Sequence, residues 1–312
     1  MMNKLTQAKY ERARNYLKKG ARCLEREIFE HHFEGGSAEA VLTHLAEFQN
    51  LDGGFGNALE PDLRSPSSSA LATEYGLRTM VEYGVRSDHA MVRAAVTYVL
   101  DTMDEATSTW RVAPLDVNKH PHAPWWHDSE GSLARTFDDF LVIPRAGIIA
   151  QLYHYSDLLP SGWLERVTQT TMEAVKTMEE EKFGGGGDAL NYLRKLAETP
   201  QLPLREKDWL VQRVRELAKI VVARDPEQWT SYCAPPVKLA PTPEAITAEV
   251  LADYLPAHLD YLISQQSPQG YWDVTWSWSD YPDVWEVAKA EWRGILTVDT
   301  LISLKAYGRI EL

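Results

Sequence analysis

The 312 residues hold 44% hydrophobic and 25% charged side chains, a globular balance that excludes wholesale disorder. Acidic residues outnumber basic ones 45 to 32, giving a formal charge of −13, so a general nucleic-acid binder is excluded unless a local basic stripe exists. The count of 11 Trp beside 14 Tyr and 7 Phe is the unusual entry, and where those Trp fall carries the functional argument.

The first 36 residues lack the apolar core of a secretory signal, and Thr6 to His32 read as one long helix. No stretch approaches the roughly 18 apolar residues of a membrane span. Cys23 and Cys233 lie far apart with no Cys-x-x-Cys, the usage of reduced thiols, and a cytoplasmic location is expected.

From residue 37 to 312 the chain repeats itself. His44 to Gly56 and His258 to Trp272 both end in Gln, three residues, Gly, one residue, aromatic: Gln49/Gly53/Phe55 and Gln266/Gly270/Trp272. Each is followed by a helical stretch ending in glycine, at Gly84 and Gly308. Ser65 to Ser69 supply N-cap hydroxyls before a helix at Ala70. Weaker copies lie between. Trp110 follows a helical stretch from Asp88 to Met103. The Gly184–Gly187 run follows one from Trp163 to Glu181 and is no phosphate loop, since no Gly-Lys-Ser/Thr follows. Trp229 follows a helix over 209–223 and precedes one expected over 243–255. In the last helix Ile295, Val298, Leu301, Ile302 and Leu304 recur at three- and four-residue steps. No alternating strand appears. The expectation is an all-α chain of five to six helix–turn–helix units forming one domain over 1–312, because a helix pair cannot bury its apolar face alone.

The Gln-x3-Gly-x-aromatic ending resembles the Gln–Trp motif of squalene–hopene-type triterpene cyclases. The run Asp52-Gly53-Gly54-Phe55-Gly56 looks like the Gly-Gly-Phe repeats of protein prenyltransferase β subunits. The resemblance covers roughly residues 40 to 308 and implies an α–α toroid, two concentric rings of helices around a central pocket. The catalytic motifs of those families are not matched. Asp138-Asp139 lack the first Asp of Asp-x-Asp-Asp and the distal Asp of Asp-Asp-x-x-Asp, and neither Cys has an Asp two residues before it, as the prenyltransferase zinc site requires.

Two connections read as unusually long, Arg111 to Asp139 and Asp273 to Arg293, and connections of that length usually serve a function. They carry Trp125 and Trp126 in the first and Trp276, Trp278, Trp285 and Trp292 in the second. These indoles either plug the ring as core or wall a pocket. In a pocket they would suit a cationic isoprenoid intermediate or stack on sugar rings.

Four polar clusters adjoin them. Glu60 and Asp62 could have their pKa values driven apart for acid–base work, or Asp52 and Glu60 could merely cap helices and pair with Arg64. His120, His122 and His127 could hold zinc, although no cofactor is expected, and His127 beside Asp128 could act as a base. Asp138 and Asp139 precede Arg145, a candidate substrate contact. Asp280, with Asp283 and Glu286, lies among the Trp residues. The leading expectation is an enzyme taking an apolar or isoprenoid small molecule in a Trp-lined pocket, with Glu60, Asp62, Asp138, Asp139, His127 or Asp280 as the acid or base. A carbohydrate-active lyase or hydrolase, and a non-catalytic small-molecule-binding toroid, are the alternatives.

Overall fold

A computed structural model describes residues 3–134 and 142–311. Among them the chain forms twelve α-helices and no β-strand, only isolated bridges. The first five helices are α1 (Gln7–Gly20), α2 (Cys23–Glu34), α3 (Ala38–Leu45), α4 (Ala70–Glu82) and α5 (Ala90–Thr102). They are followed by α6 (Arg145–His154), α7 (Trp163–Thr177), α8 (Asp188–Glu198) and α9 (Leu204–Val221). The last three are α10 (Pro236–Leu239), α11 (Leu255–Gln265) and α12 (Pro282–Ala306). Among the described residues no helix is long and apolar enough to cross a membrane.

The helices pack in pairs: α2 on α3, α4 on α5, α6 on α7, α8 on α9, α10 on α11, and α12 on α1. Pairs also meet one another, since α12 touches α2, α4 touches α6, α6 touches α8, and α8 touches α10. One buried apolar cluster draws on all twelve, from Leu17 and Leu24 through Leu77, Ile148 and Leu193 to Leu301. Near the termini, Leu5 N–H donates to the Arg309 carbonyl at 2.8 Å and Glu311 N–H to that of Leu5 at 3.0 Å.

The two sharp repeats fold alike. Gln49 Nε2 donates to the Gly53 carbonyl (2.9 Å) and to that of Met91 on α5 (3.0 Å). Gln266 Nε2 donates to the Gly270 carbonyl (3.1 Å) and to that of Lys9 on α1 (2.9 Å). Phe55 N–H then reaches Thr73 Oγ1 on α4, and Trp272 N–H reaches Thr297 Oγ1 on α12. Both glycines are obligatory, with φ of +90° at Gly53 and +105° at Gly270. A Cβ there would also lie 2.3 Å from the carbonyl oxygen of Ala94 or of Arg12. Two of the weaker copies keep the aromatic role. Trp110 Nε1 donates to Val99 O at 2.7 Å and Trp229 Nε1 to Ala223 O at 2.8 Å, as Trp272 Nε1 of the last sharp copy donates to Leu262 O at 2.7 Å.

The expected caps are present, with Ser69 Oγ accepting from Ala72 N–H, and Gly84 and Gly308 in the left-handed region just past α4 and α12. Three element expectations need correction. The single helix over Thr6–His32 is two, because Ala21 and Arg22 are extended after Gly20, where Arg22 grips Glu25 at 2.8 and 2.6 Å. The helix over 243–255 gives way to turns around a short 3-10 segment at Glu249–Leu251. The presumed loop from Asp273 to Arg293 ends at Tyr281: Pro282 opens α12, and Trp285, Ala288 and Ile295 extend its buried stripe at helical spacing.

Candidate functional site

Past the first repeat turn the backbone bends sharply, with Asn57 and Ala58 both at positive φ, 53° and 60°. Such conformations are costly for residues with a Cβ and persist only when held. Arg22 holds this one, donating to the carbonyls of Ala58 (2.9 Å) and Leu59 (3.4 Å). The bend throws Glu60-Pro61-Asp62 inward. Residues 62–64 then pair with 121–123 of the first long connection, Ala123 N–H to Asp62 O at 2.8 Å and Arg64 N–H to Pro121 O at 3.1 Å.

Asp62 is 3% exposed and lies under the second Trp group. Trp278 Nε1 donates to its Oδ1 at 3.0 Å and Trp292 Nε1 to the same oxygen at 2.8 Å. Trp276 lies near enough to lower the carboxyl's pKa, yet its buried Nε1 makes no hydrogen bond. Burial outweighs these donors and lifts Asp62 to about 6. Glu60 beside it is pushed well above the usual carboxylate range, by burial first and by the Asp62 charge second, and its Oε2 has no hydrogen-bond partner. Arg64 does not pair with Glu60 but with Glu291 on α12. With two indole N–H groups on its Oδ1, Asp62 is the carboxyl that ionises first, and its charge helps keep the proton on Glu60. Two neighbouring carboxyls that resist ionising together are equipped to hold and hand on one proton near neutral pH.

The indoles divide their duties. Trp126, Trp278 and Trp285 are buried in a second apolar cluster with Leu63, Leu71, Val112 and Val117, and Trp278 lies 5.5 Å from Trp285. Trp276 and Trp292 are half-buried and meet edge to face at 5.2 Å. Trp125, at 39% exposure, faces outward. Buried and half-buried indoles therefore coexist, on different rings.

Among the described residues, the other expected ones do not join Asp62 in this arrangement. Asp138 and Asp139 lie outside the described residues. Arg145 is buried at the start of α6 and donates to Val167 O on α7 at 3.3 Å; burial lowers it to about 10. Asp280, Asp283 and Glu286 face solvent, Asp280 accepting from Ser279. His127 stacks on His122, with Nδ1 3.1 Å from His122 Nε2, while His120 turns to Asp116 at 3.4 Å. The three imidazoles thus do not converge, and among the described residues no group of three His, Cys, Asp or Glu could hold a metal ion. Nor do His127 and Asp128 form an acid–base couple. Asp128 is held by Arg111 at 2.7 Å, which keeps its carboxyl below the usual range.

A further polar group escaped sequence reasoning. Glu74 and Arg78 on α4, Tyr192 and Lys195 on α8, and Asp299 on α12 act on one another electrostatically. Glu74 is buried, with Arg78 Nε at 3.7 Å and Lys195 Nζ at 3.9 Å from its Oε1. Lys195 falls to about 8, through burial and then Arg78. Asp299 is exposed, yet desolvation by the surrounding protein, with Glu82 and Glu25 adding, lifts it to about 6. Tyr192 links this group to the first, since Glu60 and Glu74 both raise its pKa after burial has done so. Its only sequence signal was charge placed on otherwise apolar helices. No protein-family model, curated protein or solved structure matches the chain.

Proposed function

We propose that the chain is an acid–base enzyme on an α–α toroid of the terpenoid cyclase/prenyltransferase-like type, taking an apolar or amphipathic small molecule against its indoles. The toroid reading is supported by the pairwise packing of the helices and by the two matching turns: α1 stands to α12 as α5 stands to α4, so the last unit closes on the first. Leu5 pairing beside Ile310 supports the same closure of one domain over the chain.

The observation that carries the function is Asp62, a buried carboxyl titrating near 6 beside Glu60, with two indole N–H groups on one oxygen. In this reading Glu60, which keeps its proton, passes it to an electron-rich atom of the substrate. Asp62, ionised first and held by two indole N–H groups, takes a proton back, and the Trp276 and Trp292 rings lie beside the positive charge that develops. Glu60 and Asp62 carry the acid–base roles. Asp280 is left out because it faces solvent, and His127 because it is occupied by His122. Asp138 and Asp139 are not assigned a role.

A carbohydrate-active lyase or hydrolase is the second reading, favoured by the charged group on α4, α8 and α12, which a wholly apolar substrate would leave unused. Turnover of farnesyl-type lipids and of oligosaccharides, assayed on wild type, Asp62→Asn and Glu60→Gln, separates these readings. The expected result is conversion of one substrate class, reduced at least 100-fold in Asp62→Asn with unchanged ligand affinity. Conversion unaffected by both substitutions would remove the acid from these residues, and binding without conversion would leave a non-catalytic toroid.

A further inference from the structure

Glu74 and its neighbours form an ionic group with unspent hydrogen bonds. Glu74 is 1% exposed, yet its Oε1 has no hydrogen-bond partner, and Arg78 Nε is likewise unpartnered. The two cations stand 3.7 and 3.9 Å from that oxygen, close enough for attraction and too far for a hydrogen bond. Arg78 and Lys195 are partly open to solvent, 32% and 26% at their side chains, whereas Glu74 is buried, and a buried carboxylate oxygen left without a hydrogen bond is expensive. The helices pack closely around this group. Gly147 on α6 lies between Glu74 and Tyr192, where a Cβ would come within 2.5 Å of the Tyr192 ring and 2.8 Å of Glu74 Cγ. The arrangement is braced by cation–π contacts, Arg78 over Tyr75 at 4.5 Å and Lys195 over Tyr192 at 5.1 Å.

An acceptor and two donors held just out of mutual reach match a ligand group that both donates and accepts. A hydroxyl does so: its O–H donates to Glu74 Oε1, and its lone pairs accept from Arg78 or Lys195. A simple anion would be repelled by Glu74, and a simple cation by Arg78 and Lys195. We propose that Glu74, Arg78 and Lys195 form a subsite for the hydroxyl-bearing end of the substrate, whose apolar part lies toward Trp276 and Trp292. Tyr192 lies between the two ends, with Lys195 Nζ 5.1 Å over its ring and the ring packed against the buried cluster that Trp276 also meets. This rests on the proposed function, in which the interior takes a small molecule, and it narrows that molecule to an amphipathic polyol or glycoside-like compound.

Calorimetric titration of the full chain with octyl glucoside below its micellar concentration, with glucose and with hexane tests this. Octyl glucoside should bind at least tenfold tighter than either of the other probes. Glu74→Gln, which keeps the shape and removes the charge, should weaken octyl glucoside about tenfold while leaving hexane, which has no hydroxyl, unchanged, and Lys195→Gln should act in the same direction. Trp292→Ala should weaken hexane and octyl glucoside alike. Thermal unfolding of each variant checks that the fold is intact; should Glu74→Gln fail to fold, Lys195→Gln carries the test. Hexane binding as tightly as octyl glucoside, or octyl glucoside indifferent to both polar substitutions, overturns the hydroxyl subsite and leaves the apolar binding beside the Trp residues standing. Failure of all three probes to bind overturns both.

Discussion

In the turn at 49–55 a glutamine amide holds the Gly53 carbonyl and reaches α5; in the turn at 266–272 Gln266 holds Gly270 and reaches α1. The hydrogen bonds, the positive-φ glycine and the threonine receiving the aromatic N–H are the same in both. The segments beyond the two turns differ. After the first turn comes the strained bend that carries Glu60 and Asp62, and after the second comes the segment with Trp276 and Trp278. The two unlike continuations then meet, with the indole of one on the carboxylate of the other. A duplicated frame has thus been kept where it sets helix spacing and changed where its copies face each other, which is where chemistry can be placed without disturbing the frame.

The largest effects should come from the shared frame. Gly53→Ala and Gly270→Ala each force a Cβ against a backbone carbonyl at positive φ and should each cost about 3–5 kcal/mol in urea unfolding. Costs differing by more than about 2 kcal/mol would break the equivalence of the two turns.

The next effect belongs to the divergent part. Asp62 has a folded pKa of about 6 against an ordinary 3.8. Between those values the folded protein keeps a proton that the unfolded chain has released. Stability from this group therefore falls as pH rises from about 4 to 6, and stays low above. The loss is up to about 3 kcal/mol. Asp62→Asn lacks it, so the variant should gain on wild type by that amount between pH 4 and 7 in denaturant titrations. A constant difference across the range would place Asp62 at an ordinary pKa.

Smaller, and again paired, are Gln49→Ala and Gln266→Ala. Each removes two amide hydrogen bonds and should lower stability by about 1–3 kcal/mol. Their closeness to one another sharpens the comparison that the glycines open. Smallest is Trp125→Ala: its ring is 39% exposed, and the substitution should change stability by less than about 0.5 kcal/mol in the same measurement.

Helices, caps and the two turns were legible because they are local. Ser69 sits beside the amides it caps, and Gln49 is four residues from the carbonyl it holds. The start of α12 was missed because its acidic and aromatic residues hid a stripe that continues into 295–304. Asp62 could be singled out among carboxylates near the Trp loops, but so could Asp280, and nothing local separates them. One is 3% exposed and the other faces solvent. The ionic group of Glu74, Arg78 and Lys195 was invisible for a different reason, since two of its members share α4 and the third lies on α8.

By itself, then, the order of residues determined that the chain is helical, that its turns recur, and that indoles and carboxylates crowd two connections. Those properties depend on hydrogen bonds and side-chain periodicity within a few residues of each position. Which carboxyl keeps its proton, which indoles cover it, and which charges are left with unspent hydrogen bonds depended on contacts such as Trp278 with Asp62, 216 residues apart. Burial and field at a titratable group are sums over everything nearby in space, and only the folded chain brings those neighbours together.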